Sequence, residues 1–187
     1  NAPNNIKEII DIDKDDFVIA IDGGFDLLLK QKIKIDLIIG DLDSIKNKKK
    51  LTQYQKLKLK SEKDETDTFV AVDYAYTLGH KVYLIGGIQG DRIEHFLANI
   101  NLFNKFPELM ILDNNSKIYL LSKGKHILRK SGYHSFFAYD NSVISLDGFK
   151  YPLTKYELDK FDSLAISNEV VNLYGELTIH KGRVIVI

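Results

Sequence analysis

Up to Leu112, short apolar runs alternate with helical patterns, and this alternation limits the possible folds more than any other feature of the chain. Strands separated by helices are typical of a parallel sheet, because parallel neighbours need a long crossover connection. The strand-like runs are Phe17 to Ile21, Leu37 to Ile39, Lys56 to Lys60, Val82 to Ile85 and Leu109 to Leu112. The sequence therefore predicts a parallel α/β sheet, whose ligand would lie beyond the carboxyl ends of the strands.

The pattern changes near Leu112 to Ser116. Beyond that point, short strand candidates follow one another with turn residues between them: Lys117 to Leu121, Lys125 to Leu128, His134 to Ala138, Val143 to Asp147, Ser163 to Ile166, Leu173 to His180 and Arg183 to Ile187. Lys181-Gly182 is typical of a hairpin turn. We expect an α/β domain over residues 1–113 and an antiparallel β-sandwich over residues 114–187.

Two carboxylates follow the second strand, in the segment LIIGDLDS from Leu37 to Ser44. Gly40 allows a sharp turn and a close backbone approach to phosphate oxygens, and Asp41 and Asp43 come directly after it. Two acidic side chains would repel an anionic ligand unless a cation lay between them, so the spacing favours a hard divalent ion, most plausibly Mg²⁺. Taken alone, the same Asp-x-Asp pattern is also typical of residues that cap a turn or helix.

A second acidic segment follows the next strand-like run. It reads Lys63-Asp64-Glu65-Thr66-Asp67 and precedes a helical pattern with an apolar stripe at Phe69, Val72 and Tyr76. Carboxylates at a helix start are stabilised by the positive end of the helix dipole, and they can also hold a metal. The alternative is simple capping of the helix by Thr66 or Asp67.

A glycine-rich loop follows the fourth strand-like run. Gly86, Gly87 and Gly90 suit a backbone that comes close to phosphates, although they form neither a Walker loop nor a clean dinucleotide fingerprint. In the helix that follows, the predicted apolar face consists of Ile93, Phe96, Leu97, Ile100 and Phe103. The polar residues that border this face are Arg92, His95 and Asn99. Together they could hold a nucleotide, or they could form an ordinary strand-to-helix turn.

Composition limits the partners. Lys plus Arg and Asp plus Glu each number 26, so the formal charge is zero and we expect no nucleic-acid binding. The run Lys46 to Lys50 is interpreted as a solvated helix face, with electrostatic steering of an anionic nucleotide as the alternative. With no Cys, disulfides and thiol nucleophiles are excluded. No apolar run approaches the ~20 residues of a membrane span, so we expect no membrane partner and a cytoplasmic location.

In combination the motifs are far more specific, and the chain closely resembles the thiamine pyrophosphokinase family. The matching motifs occur in the family's order: Asp22-Gly23-Gly24, Gly40 to Ser44, Asp64 to Asp67, Gly87 to Asn99, Gly148 to Leu153 and Ser167-Asn168-Glu169. The resemblance implies a Rossmann-like catalytic domain and a β-sandwich that binds thiamine and forms a homodimer with shared active sites. It also implies transfer of the diphosphoryl group of ATP to the hydroxyl of thiamine, which gives thiamine diphosphate and AMP.

By resemblance, Asp41, Asp43, Asp64 and Asp67 bind the magnesium ion and the triphosphate, and Arg92 adds positive charge. The residues expected to complete the nucleotide site are Asp22, Gly23, Gly24, Ser44, Thr66, Gly87, Gln89, Gly90, His95 and Asn99. Those expected near thiamine are Ser167, Asn168 and Glu169. Without the resemblance, this last segment would be interpreted as an ordinary turn.

The chain departs from the family's pattern at two positions, with Asp91 in place of Gly and Glu94 in place of Asp. We expect Asp91 to point away from the phosphates. The family also has a buried strand ahead of the point where this sequence begins. Two other functions stay open: a phosphohydrolase, although Gly40 stands where its nucleophilic Asp would be, and a nucleotide-sensing or thiamine-binding module without turnover.

Overall fold

The computed structural model describes Pro3 and residues 5–79, 81–89 and 92–187. The chain divides into two compact units, Asn1–Asn115 and Ser116–Ile187. The helices and strands of the first unit are β1 Ile19–Ile21, α1 Gly24–Lys30, β2 Leu37–Gly40, β3 Lys56–Lys58, α2 Asp67–Thr77, β4 Tyr83–Ile85, α3 Ile93–Asn101 and β5 Met110–Leu112. Short 3-10 helices cover Ile6–Glu8, Lys48–Gln53 and Leu102–Asn104.

All strand pairs of the first unit are parallel, as the alternation predicts. β2 lies between β1 and β3, with Ile39 opposite both Ile21 and Leu57. β4 pairs with β5. β2 is buried on both faces, which is typical of a strand covered by helices on each side. Two clusters of apolar side chains cover these faces, one centred on Phe25 and Ile38 and the other on Ile39 and Ala71.

The second unit consists of antiparallel strands, as expected. They are β6 Lys117–Arg129, β7 Tyr133–His134, β8 Phe136–Ala138, β9 Ser142–Asp147, β10 Leu153–Leu158, β11 Asn168–Glu169 and β12 Tyr174–Val186. β12 pairs with β6, β8 and β9, while β9 also pairs with β10. β7 and β11 form a separate two-stranded sheet. Phe136, Ile144 and Leu177, each 0% exposed, belong to one apolar core.

Several strand predictions for this unit are wrong. The two candidates on either side of Gly124 form the single strand β6, and the two on either side of Lys181-Gly182 form β12. Gly182, with a φ of 79°, therefore lies at an irregularity within a strand and not in a hairpin turn. Ser163 to Ile166 contains no strand, because the Asp162 carboxylate accepts from the Leu164 N–H and folds this segment into a turn. β10 has no counterpart among the predicted strands.

Within the described residues, no helix has both the length and the apolar character needed to cross a membrane.

Candidate active site

Three of the predicted acidic residues meet at the carboxyl edge of the three-stranded parallel sheet. Asp22 follows β1, Asp41 follows β2, and Asp67 is the first residue of α2, which comes after β3. Because the strands are parallel, their carboxyl ends lie at one edge, and this topology brings the three segments together. Among these side chains, the Asp22 carboxyl interacts electrostatically with both Asp67 and Asp41.

Gly40 provides the space for this cluster. A Cβ on Gly40 would overlap the Asp22 carboxylate, and the φ of Gly40 is 150°, which L side chains rarely adopt. Asp22 itself has a φ of 44°, in the left-handed region that Asp tolerates better than most residues. The Leu42 N–H donates to Asp22 Oδ1 at 3.5 Å, a long bond that links the ends of β1 and β2.

The charge of Asp22 is disfavoured in this environment. Burial, then repulsion from Asp67, and then repulsion from Asp41 raise the pKa of Asp22 from its ordinary 3.8 to about 6, and the bond from Leu42 offsets only part of this. A carboxyl held close to like charges is stabilised by any cation that binds among them. The cluster therefore favours the binding of a cation at neutral pH.

We expect Asp22→Asn to stabilise the metal-free protein by about 1–2 kcal/mol at pH 8. Because the pKa of Asp22 is raised in the folded state, the folded protein binds more protons than the unfolded chain between pH 3.8 and about 6, and its stability falls as the pH rises through that window. Asn keeps the acceptor for Leu42 and removes the charge. Urea unfolding in EDTA at pH 4 and pH 8 measures the effect, which should be present only at the higher pH.

The loop after β2 is fixed by its own backbone. The Asp43 N–H donates to Asp41 Oδ1 at 3.0 Å, and Leu42 is buried beneath the loop. The Asp43 side chain is exposed. Asp26 was not among the predicted site residues, yet its carboxylate accepts from the Lys46 N–H at 2.7 Å and the Asn47 N–H at 3.0 Å. It anchors the end of this loop, and no local motif identifies such a contact, because the partners are about 20 residues apart.

At the start of α2, Thr66 is the N-cap, because its hydroxyl accepts from the Phe69 N–H at 3.1 Å. The capping role considered for Thr66 is thus confirmed. Asp67 Oδ1 is buried and has no hydrogen-bond partner, although the Lys63 ammonium lies 2.9 Å from it. Asp64 is exposed. Among the described residues, no three His, Cys, Asp or Glu side chains already form a group that could hold a metal ion.

The glycine loop after β4 is held by a buried amide. Gly86 and Gly87 have φ values of 87° and 76°. Asn99, 4% exposed, donates from Nδ2 to the Gly87 carbonyl at 3.0 Å, and a Cβ on Gly87 would lie 2.5 Å from that nitrogen. Asn99 thus shapes the loop through its backbone. Gly90 and Asp91 lie outside the described residues.

The remaining residues predicted for a nucleotide site lie in or beside α1 and α3 and in the loops that precede them. Arg92 precedes α3, is exposed, and forms an ion pair with Glu94 at 2.9 Å. Gln89 is exposed and His95 is half-buried. Gly24 is the first residue of α1, and Gly23 lies beside Ser44, whose Oγ would be 3.4 Å from a Cβ on Gly23.

The apolar face predicted for α3 is partly wrong. Ile93 and Leu97 are 65% and 57% exposed, while the polar Asn99 is buried. The helix turns Asn99 toward the glycine loop, and this leaves an apolar ridge of Ile93 and Leu97 on its outer side. Periodicity alone identifies an apolar stripe but does not show which neighbour, if any, covers it.

In the second unit, Asn168 holds the surrounding backbone. It is 2% exposed, its Oδ1 accepts from the N–H groups of Tyr151 and Glu169 at 3.1 and 2.9 Å, and its Nδ2 donates to the Tyr151 carbonyl at 2.8 Å. Glu169 pairs with Lys150 at 3.0 Å. Ser167, with a φ of 55°, donates its N–H to Ser135 Oγ. Tyr151 is 58% exposed.

Two protein-family models match this chain in succession. The catalytic domain of thiamin pyrophosphokinase matches residues 11–120, and the vitamin B1 binding domain of thiamin pyrophosphokinase matches residues 124–184. Thiamine pyrophosphokinase of Bacillus subtilis is 31% identical in an alignment 187 positions long, which spans 90% of this chain and 85% of that protein.

Solved structures agree with this. The crystal structure of the Bacillus subtilis thiamine pyrophosphokinase superposes with a TM-score of 0.85 at 28% identity, over 98% of this chain and 94% of that one. Thiamin pyrophosphokinase from Candida albicans shares the fold, with a TM-score of 0.74 at 17% identity over 95% of this chain and 84% of that one. The chain belongs to the thiamine pyrophosphokinase family.

Proposed function

We propose that this thiamine pyrophosphokinase binds ATP with Mg²⁺ at the acidic edge of its first unit and releases AMP when the diphosphoryl group passes to thiamine. The observation that carries the proposal is the convergence of Asp22, Asp41 and Asp67 at the carboxyl ends of parallel strands, with one buried carboxylate oxygen left without a hydrogen bond. Residues 1–113 form the proposed nucleotide- and metal-binding domain. Residues 114–187 form the proposed thiamine-binding and dimerisation domain.

The chemistry of this edge fits a hard divalent cation. The donors are carboxylate oxygens, which Mg²⁺ prefers, and Asp67 Oδ1 is buried without a hydrogen bond, with the Lys63 ammonium 2.9 Å from it. Asp41, Asp43 and Asp67 would hold the ion, with Asp64 completing the set from the loop before α2. When bound, the ion supplies positive charge that offsets the charge on the transferring phosphates.

The chain's own groups then orient the nucleotide. Gly23, Gly24 and Ser44 are proposed to contact the nucleotide from one side, and Gly87, Gln89 and His95 from the loop and helix after β4. Gly90 is assigned to the same site from its sequence alone, since it lies outside the described residues. Thr66 and Asn99 act through the backbone that they fix, the first by capping α2 and the second by holding Gly87. The exposed Arg92 is proposed to leave Glu94 for a phosphate oxygen, because both contacts are charge-assisted hydrogen bonds of similar strength.

Transfer requires attack by the thiamine hydroxyl on the β-phosphorus and cleavage of the bond between the α- and β-phosphates. Such reactions depend on positioning and charge neutralisation more than on covalent help from the protein. Glu169 is proposed to attract the cationic thiazolium ring, with Ser167 beside it and Asn168 fixing the local backbone. A cytoplasmic location, where ATP is available, is part of the same proposal.

An isologous homodimer is supported by apolar side chains left on the surface of the second unit. The most exposed are Phe161 at 96% and Leu173 at 80%, and the others are Ile127, Tyr133, Tyr151, Leu164, Ile166, Val171 and Tyr174. Apolar surface of this extent typically marks an interaction site. We propose that a second copy covers part of it, and that each active site takes its acidic edge from one chain and Ser167 to Glu169 from the other.

The expected product is AMP, formed in step with thiamine consumption. Attack at the β-phosphorus releases AMP, whereas a kinase that attacks the γ-phosphorus would release ADP and thiamine monophosphate. Incubation with thiamine, ATP and Mg²⁺ followed by chromatography distinguishes the two. Stoichiometric ADP would reject the proposed reaction, and binding of thiamine and ATP without any product would favour a binding module.

A further inference from the structure

Lys63 occupies an unusual position for a lysine. Its side chain is only 18% exposed, whereas lysines normally keep their ammonium groups in water. The Nζ atom donates to the Lys60 carbonyl at 3.0 Å and lies 2.9 Å from Asp67 Oδ1. This partner is the buried carboxylate oxygen that has no hydrogen bond. The contact with Asp67 is therefore electrostatic, and the ammonium is anchored by the neighbouring carbonyl.

The charge around this contact is strongly negative. Asp22 interacts electrostatically with both Asp67 and Asp41, so the negative charges of three carboxyl groups act at this edge of the sheet. Lys63 is the cation that the structure places against them within the described residues. Lys58 and Lys60 also precede α2 in the sequence. Both are exposed, and neither forms an ion pair with these carboxylates in the described part of the chain.

We propose that Lys63 is an internal counter-ion of the acidic cluster, and that its ammonium group leaves Asp67 for a phosphate oxygen when the magnesium nucleotide binds. This inference rests on the proposed function, because it needs both a cation and a triphosphate at this edge. Asp67 Oδ1 can lie next to the ammonium or to a divalent ion, but close contact with both would place two cations together. A displaced Lys63 ammonium stays near the site, where the bound triphosphate would be its new anionic partner. Lysine suits phosphate binding because its ammonium is a compact positive charge.

The exchange has two consequences of opposite sign. Without nucleotide, Lys63 competes with the metal, so removal of its charge should strengthen the binding of Mg²⁺ alone. With nucleotide, the same charge contributes a contact to the phosphates, so its removal should weaken binding. If Lys63 only stabilised the loop before α2, its removal would change the affinities for Mg²⁺ alone and for the magnesium nucleotide in the same direction, or would change neither.

The test uses Lys63→Met, which keeps the length of the side chain and removes its charge, with Lys63→Arg as the charge-retaining variant. Lys60→Met is the matched control, because Lys60 belongs to the same loop and its side chain is exposed. Calorimetry measures binding of MgCl₂ alone and of Mg²⁺ with α,β-methylene-ATP, in which the bond to be cleaved is blocked. Thermal unfolding in EDTA shows that each variant is folded.

For Lys63→Met we expect Mg²⁺ alone to bind about threefold tighter and the magnesium analogue about tenfold weaker, in line with the loss of one charge-assisted contact. Lys63→Arg should bind the analogue within about threefold of wild type, and Lys60→Met should match wild type in both titrations. The exchange would be overturned if Lys63→Met bound Mg²⁺ alone no more tightly than wild type, or if its binding of the analogue were unchanged. Either result would leave the proposed nucleotide site intact. If the wild-type protein binds neither ligand, the proposed function fails and the role of Lys63 with it.

Discussion

Asp43→Asn is expected to lower the rate of thiamine diphosphate formation about a hundredfold at limiting Mg²⁺ while the protein stays folded. The Asp43 side chain is exposed, and it makes no hydrogen bond or ion pair within the part of the chain that the structure describes. Its backbone N–H, which bonds to Asp41, is retained in the variant. The substitution therefore removes one charge from the proposed metal site and little else, and a loss of about 3 kcal/mol in the transition state follows if that charge helps to hold the ion.

Asp15→Asn serves as the control for Asp43→Asn. It removes another exposed carboxylate from the same unit, in the segment that precedes β1 and therefore at the opposite end of that strand from Asp22, and should leave the rate unchanged. A steady-state assay over a range of Mg²⁺ concentrations is the measurement, and part of the lost activity should return at high Mg²⁺. Full activity of a well-folded Asp43→Asn protein at limiting Mg²⁺ would remove Asp43 from the site.

The acidic edge could be predicted from sequence because its determinants are local. β2 is a short apolar run, Gly40 ends it, and the carboxylates come next, so each residue's position follows from its neighbours. Parallel pairing then brings the ends of β1, β2 and β3 to one edge without any further information. The overlap of a Cβ at Gly40 with Asp22 explains in retrospect why glycine stands at this position.

The course of β12 could not be predicted in the same way. Gly182 has the left-handed φ that a hairpin turn also requires, so the local signal is the same for a turn and for a bulge. The outcome depends on Ser142, whose hydroxyl donates to the carbonyls of Asp140 and Arg183 and fits against Gly182. Because Ser142 and Arg183 are 41 residues apart, no window of sequence contains this information.

The contacts that some side chains make with distant backbone could not be predicted for the same reason. Asn168 has the sequence appearance of a turn residue, yet its amide is satisfied by Tyr151 and Glu169, and it organises the loop. In the first unit, Asp26 accepts a hydrogen bond from the Lys46 N–H and Asn99 donates one to the Gly87 carbonyl, so these side chains also hold distant backbone. Residue type indicates that such side chains form hydrogen bonds, but their partners are defined only by the fold.

Two inactive variants are expected to restore activity to each other when they are mixed. One carries Asp41→Asn with Asp43→Asn, and the other carries Ser167→Ala with Glu169→Gln. If each site takes its acidic edge from one chain and its thiamine segment from the partner, a mixed dimer has one site with both defects and one site with none. With random exchange half of the dimers are mixed, so the activity should approach about a quarter of wild type.

The activity of the mixture distinguishes a site shared between two chains from a site built within one chain. In the second case every site in every dimer keeps the defect of its own chain, and the mixture stays at the level of the parents whatever the degree of exchange. Mass-tagged subunits establish that exchange has occurred, and each variant mixed with wild type shows that neither damages its partner. In the described part of the chain, Glu169 forms its ion pair with the exposed Lys150, and Ser167 bonds to Ser135 through its backbone. These substitutions should therefore leave the second unit able to dimerise. Parental activity in a fully exchanged mixture would show that the acidic edge and Ser167 to Glu169 of a single chain form each site, and the shared site would then have to be abandoned.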